Sequence, residues 1–179
     1  MGRPKQLLVY GGRTLLERAI DEASNAGLSP IIVVLGSDAD AIEVKIAERA
    51  IEIVHNAAWC GGMGSSIVSG FRRLIEVVPE CAGVAILLPD QPLVTADHLR
   101  AMQNALTSGD ADIVAAEYSG TRGVPAFFAR RMFSALASLP GDVGARHIIR
   151  NQSARVVGFS LPEAAIDIDT PADFTALEN

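Results

Sequence analysis

The 179-residue chain is 49% apolar and carries a formal net charge of −6, enough apolar sequence for one domain with a sizeable core. It has no run of Lys and Arg, so it lacks the clustered positive charge that a nucleic-acid groove or an anionic membrane surface requires. Its two cysteines, Cys60 and Cys81, form neither a disulfide framework nor a zinc-site pair and read as reduced thiols, and no apolar run is long enough to span a bilayer or forms a signal peptide; the expected compartment is the cytoplasm, with no nucleic-acid or membrane partner.

The opening "MGRPKQLL" places Gly2, Arg3, Pro4 and Lys5 in a loop of the kind that hangs off the end of a strand. Lys5 and Lys45 are the only lysines among fifteen basic residues, which makes Lys5, in a glycine-bearing loop, a candidate functional residue. Thr14 can cap a helix carrying Leu15, Leu16, Ala19, Ile20 and Ala23, which Gly27 stops before the strand "PIIVVLG". A helix over about 38–50 leads to the short strand "IEIVHN", the glycine-rich "AAWCGGMGSS" and a helix over about 65–78. "GVAILLPD" is the cleanest strand. Thr95 caps the next helix, with Asp97 in its first turn and Gly109 at its close. "ADIVAAEY" and "VPAFF" then flank the turn "SGTRG", the one place where antiparallel pairing is expected. Two further helices, over about 130–139 and 143–150, precede strands near "ARVVGF" and "AIDID", and Thr170, Pro171 and Asp173 spell a final helix start. Short continuous apolar runs alternating with helical periods predict an α/β fold with a mixed sheet.

Ligands of open α/β sheets bind beyond the carboxyl ends of the strands, so the residues just after each apolar run are the candidates. Asp90 follows "AILLP", stiffened on both sides by Pro89 and Pro92, and reads either as a turn aspartate or as a functional carboxylate. Asp167 and Asp169, two apart on an expected strand, share a face and can aim two carboxylates at one point. Carboxylates at two strand ends suit a magnesium ion bound to substrate phosphates, which takes one or two protein oxygens. In "NAAWCGGMGSSI" the glycines allow close backbone approach, while Ser65 and Ser66 offer hydroxyls and amides at a helix start; Trp59 and Met63 read equally as core residues. Walker, GxGxxG, HExxH and G-x-S-x-G patterns are all absent.

Taken in order, "MGRPKQLL", "NAAWCGGMGSSI", "LLPDQPLVT", "TRGVPAFF", "GDVGARHII" and "DIDTPADF" resemble molybdenum-cofactor cytidylyltransferases and related MobA-like nucleotidyltransferases, and together they cover nearly the whole chain. The resemblance implies a single domain over residues 1–179 with a three-layer α/β/α Rossmann-like fold and a mostly parallel, mixed sheet. It implies Mg2+-dependent transfer of CMP from CTP, or of a nucleotidyl group from a related NTP, to the phosphate of the molybdopterin cofactor, with a molybdoenzyme as possible recipient. Lys5 matches the phosphate-contacting lysine and Asp90 the magnesium aspartate, the two residues expected to carry catalysis. Asp169 or Asp167 matches the second acidic position near the metal. By the same likeness Gly62, Gly64, Ser65 and Ser66 lie near the nucleotide, and Arg122, Gly123 and Arg146 near the acceptor, while His55, His98 and His147 are bystanders.

Members of the family begin with a strand and a loop L-A-A-G-x-S-x-R ahead of the motif at which this sequence starts, so a first strand, central in the sheet, and a glycine loop are expected upstream of Met1. Two alternatives remain at this point: a nucleotidyltransferase of the same fold acting on a sugar or alcohol phosphate, and a non-catalytic cofactor-binding or maturation protein. An oxidoreductase stands third, for want of a dinucleotide fingerprint.

Overall fold

The computed structural model describes residues 4–151 and 155–166. A 3-10 turn, Lys5–Leu7, opens into a two-stranded hairpin of β1 (Val9–Tyr10) and β2 (Arg13–Thr14). Gly11 and Gly12, at φ of +58° and +80°, supply the left-handed backbone that a two-residue hairpin turn requires. The Gly-Gly pair signals this hairpin, which the apolar periodicity did not reveal. Helix α1 (Leu15–Asn25) follows under a complete capping box: the Glu17 amide donates to Thr14 Oγ1 at 3.2 Å, and the Thr14 amide donates to Glu17 Oε2 at 2.8 Å.

β3 (Ile32–Leu35) and β4 (Glu52–His55) pair in parallel around α2 (Ala39–Ile46). This helix ends earlier than expected, because the chain leaves it to carry the Arg49 guanidinium to Glu17 and Asp21 on α1. α3 (Met63–Val77) crosses back over β3, where a side-chain carbon on Gly70 would fall 2.7 Å from Val34 Cγ2. The chain then returns to the sheet as β5 (Gly83–Ile86).

After α4 (Ala96–Ser108) come β6 (Ile113–Tyr118), β7 (Thr121–Ala129), α5 (Phe133–Ala137), α6 (Ala145–Asn151) and β8 (Val156–Ser160). The strand order is β5-β7-β6-β8. β7 runs against both β5 and β6, while β6 and β8 are parallel, so β7 alone reverses direction in this sheet. Antiparallel pairing therefore occurs at more places than the "SGTRG" turn, because β7 inserts between β5 and β6 instead of staying at an edge. No backbone ladder joins β3 to β5 among the described residues.

Leu99 and Met102 of α4 cover Val114 and Phe127 on one face, and Phe71, Leu136 and Ile148 cover Ile113 and Phe128 on the other. Leu16, Ile20, Ile42 and Ile46 close a third cluster over Val33 and Leu35. The result is the α/β fold with helices on both faces of a mixed sheet. Each fully buried side chain of this size contributes about 1.5–3 kcal/mol.

Two expected helices are shorter than their periodicity suggested. Arg130–Met132 is a 3-10 turn ahead of α5, and residues 140–143 form a turn closed by the Val143 amide on the Pro140 carbonyl. That turn seats on the start of α3: the Ser65 amide donates to the Gly141 carbonyl at 3.2 Å. A side-chain carbon on Gly64 would collide with the Pro140 carbonyl and stand 2.5 Å from that of Val143. Ala165 ends a 3-10 turn, Pro162–Ala165, where a strand was expected; residues 167–173, with Asp167, Asp169 and the Thr170 helix start, lie outside the described residues.

Gly64→Ala is expected to destabilise the protein by about 1–3 kcal/mol, because backbone must move to admit a methyl group; urea unfolding measures it. Thr14→Ala is expected to cost about 1 kcal/mol. The Thr14 amide and then its hydroxyl hold the Glu17 carboxyl below its ordinary range. A lowered folded pKa makes this stabilisation fully present above the unfolded value of about 4.3 and lost as pH falls through the folded one. The stability gap between wild type and Glu17→Gln should therefore shrink on acidification from neutrality toward about pH 3.

Candidate functional site

At the end of β5 the chain runs through Pro89 into Asp90 and Gln91, polar side chains that are only 6% and 7% exposed at residue level. Lys5, carried by the first 3-10 turn, places Nζ 2.5 Å from Asp90 Oδ2. Asp90 Oδ1 is buried with no hydrogen-bond partner among the described residues. A buried carboxylate is costly unless its charge is balanced, and here one oxygen is balanced by Lys5 while the other is left without a hydrogen bond from the described residues. The two residues expected to carry catalysis are thus brought together, 85 positions apart in sequence.

Gln91 anchors the turn. Its Nε2 donates to the carbonyls of Val124 at 3.0 Å and Ala164 at 2.9 Å, tying the end of β5 to β7 and to the 3-10 turn after β8. Arg18 of α1 donates to the Pro92 carbonyl at 3.1 Å and lies over the Tyr10 ring, 5.0 Å from its centroid. Buried Arg18 Nε and Gln91 Oε1 also have no hydrogen-bond partner among the described residues.

Gly123 precedes Val124. A side-chain carbon there would stand 2.8 Å from the Tyr118 hydroxyl and 3.3 Å from Arg146 Nη2, so glycine is what lets the α6 arginine and the β6 tyrosine close over this strand. Arg122, the neighbouring residue, points elsewhere: its Nε donates to Glu117 Oε2 at 2.9 Å and Nη1 to the Val156 carbonyl at 3.3 Å. Gly123 and Arg146 therefore belong together, and Arg122 is engaged along β6 and β8.

The glycine-rich loop is organised by Asn56, just past β4 and 6% exposed. Its Nδ2 donates to Ser65 Oγ at 2.8 Å and to Ser66 Oγ at 3.0 Å, and its Oδ1 accepts the Ala58 amide at 3.0 Å. Gly62, at φ +105°, abuts the Gly141 carbonyl, which a side-chain carbon would meet at 2.7 Å. Since the Ser65 amide already serves Gly141 and its hydroxyl lies 2.7 Å from the Gly62 carbonyl, Ser65 holds the loop's shape.

A continuous belt results: Lys5 to Asp90, Gln91 to Val124, Gly123 to Arg146, and the 140–143 turn to Gly62, Gly64 and Ser65. Asn56 and Gln91 were missed as site residues, although a polar side chain at the end of a strand is the signal that marked Asp90. Of the histidines, His55 pairs with Glu43 at 2.7 Å, and His98 caps its helix by accepting the Thr95 amide at 3.3 Å. Both cysteines are free. Trp59 and Met63, open to a core reading from sequence, are 49% and 54% exposed. No described helix is long and apolar enough to cross a membrane.

Comparison with known proteins bears on this arrangement. The chain is 30% identical over 180 aligned positions to a protein named nicotine blue oxidoreductase from Paenarthrobacter nicotinovorans, spanning 95% of this chain and 86% of that one. The crystal structure of Rv0371c from Mycobacterium tuberculosis H37Rv superposes with a TM-score of 0.82 at 28% identity, covering 100% of this chain and 92% of that one. A structure of Rv0371c in complex with manganese superposes at 0.78 with 29% identity, covering 97% and 90%. The profile of the MobA-like NTP transferase domain matches residues 1–156, and the chain belongs to that family.

Proposed function

We propose that this protein is a nucleotidyltransferase that moves CMP from CTP, or the nucleotidyl group of a related triphosphate, onto the phosphate of the molybdopterin cofactor. The observation that carries the reading is the buried Asp90, with one oxygen on Lys5 and the other unsatisfied at the carboxyl edge of the sheet. The six ordered motifs that resemble molybdenum-cofactor cytidylyltransferases support the acceptor.

In such a transfer an oxygen of the acceptor phosphate forms a bond to the α-phosphorus of the triphosphate, and the bond from that phosphorus to the bridging oxygen breaks to release pyrophosphate. The acceptor phosphate is ionised near neutral pH, so no general base is needed; alignment and neutralisation of charge do the work. Lys5 supplies a fixed positive charge, and Asp90 holds its ammonium in place. Arg146, closed over Gly123, offers a planar donor fork for an anionic or pterin group.

Asp90 fits a divalent cation. Its unpartnered Oδ1 is a hard oxygen donor, and magnesium takes only one or two protein carboxylates while water and phosphate fill the rest. Asp167 or Asp169 is the proposed second donor. When bound, the cation supplies neutralisation of the polyphosphate; the manganese complex of Rv0371c supports a divalent-metal site.

One observation favours a second reading. The relative aligned over 95% of this chain is named nicotine blue oxidoreductase, which raises a redox reaction in place of nucleotidyl transfer. A single assay separates the two: purified protein with CTP, molybdopterin and magnesium should release pyrophosphate, and consumption of reduced nicotinamide without pyrophosphate would select the oxidoreductase. Asp90→Asn and Lys5→Met should each lower kcat by about 100-fold or more while far-UV circular dichroism is unchanged. Undiminished turnover in Asp90→Asn would remove the carboxylate from the reaction.

A further inference from the structure

Exposed large apolar side chains are ordinary when scattered singly, but Trp59 is neither scattered nor loosely held. Its stem is pressed onto Gly36 just past β3, where a side-chain carbon would fall 2.7 Å from Trp59 Cβ and 3.0 Å from Cγ. The backbone on either side is fixed as well: the Ala58 amide donates to Asn56 Oδ1 at 3.0 Å, and the Gly62 amide to the Trp59 carbonyl at 3.1 Å. Met63, at the first position of α3, is also half-exposed, yet its sulfur lies where a side-chain carbon on Gly144 would stand 3.4 Å away. A large indole is thus held by its stem at the strand-end edge, in the loop whose glycines seat the turn leading to Arg146.

We propose that Trp59 is a stacking platform for a planar heteroaromatic ring of the substrate. It is a positioning residue, setting where the phosphate attached to that ring lies relative to Lys5 and Asp90. The indole face stacks on flat rings with little regard to their identity, so the nucleobase of the triphosphate and the pterin of the acceptor are the two sources of the ring. Asn56 and Ser65 bond within this loop and to the 140–143 turn, while the indole stays half-exposed. The inference rests on the nucleotidyl-transfer reading for the identity of its ligand.

Trp59 is the single tryptophan of the chain, so its fluorescence reports this position alone. Titration with CTP, GTP, a 6-substituted pterin phosphate and inorganic tripolyphosphate should give saturable quenching by the ring-bearing compound that stacks there and none by tripolyphosphate. Which of the nucleotides or the pterin quenches identifies the source. Trp59→Leu, which keeps bulk and removes the π face, should raise KM for that substrate by about 5- to 100-fold with kcat changed by less than about twofold, and Trp59→Phe should restore most of it. Quenching by tripolyphosphate equal to that by the ring compounds, or a Trp59→Leu enzyme with wild-type KM for every substrate, would overturn the platform. A wild-type protein that quenches with a ring compound but releases no pyrophosphate from any triphosphate would sink the transfer reaction and leave the platform standing.

Discussion

A carboxylate that is buried must be balanced, and the architecture around Asp90 is arranged by that requirement. One oxygen is met by Lys5, which ties the first turn of the described chain to the end of β5. The other has no hydrogen-bond partner among the described residues. Fully satisfied, this group would be an ordinary buried ion pair, whose net worth to stability is small or negative once desolvation is counted. Half satisfied, it is costly to the fold and valuable to a ligand, because a cation or donor arriving there recovers the missing interaction. Gln91, hydrogen-bonded to two separated segments, holds the carboxylate in place against that cost.

The remainder of the site is built by backbone approach. Gly64 and Gly62 let the 140–143 turn lie directly on the start of α3, Gly123 lets Arg146 and Tyr118 close over β7, and Gly36 receives the stem of Trp59. In each case the space that a single methyl group would need is occupied by a neighbour. Asn56 plays the complementary part, using one buried side chain to fix two serines and an amide. Such a loop presents its outward groups at little further entropic cost, since the ordering was completed during folding.

The chain's membership of the MobA-like NTP transferase family points to phosphoryl chemistry. The belt from Lys5 to the glycine-rich loop is made of groups suited to charge: an ammonium, a carboxylate, a guanidinium and backbone amides. The exposed indole of Trp59 adds an apolar face beside it.

Much of this could be read from the linear chain, because the signals involved are local. Thr14 with Glu17, Thr95, and the apolar runs of β3, β5 and β6 declare themselves within a few residues, since caps and buried strands depend on near neighbours. The antiparallel turn at Ser119 and Gly120 did so too. Asp90 was visible because it ends an apolar run, and Lys5 because lysine is rare here. What only the tertiary structure decided is what depends on distant partners. It inserted β7 between β5 and β6, brought Lys5 to Asp90, made Asn56 and Gln91 structural anchors, parted Arg122 from Arg146, and left Trp59 at the surface. None of these is written in spacing, because each is set by which strand packs beside which. Sequence periodicity reports which face of an element is apolar, but not what that face will meet.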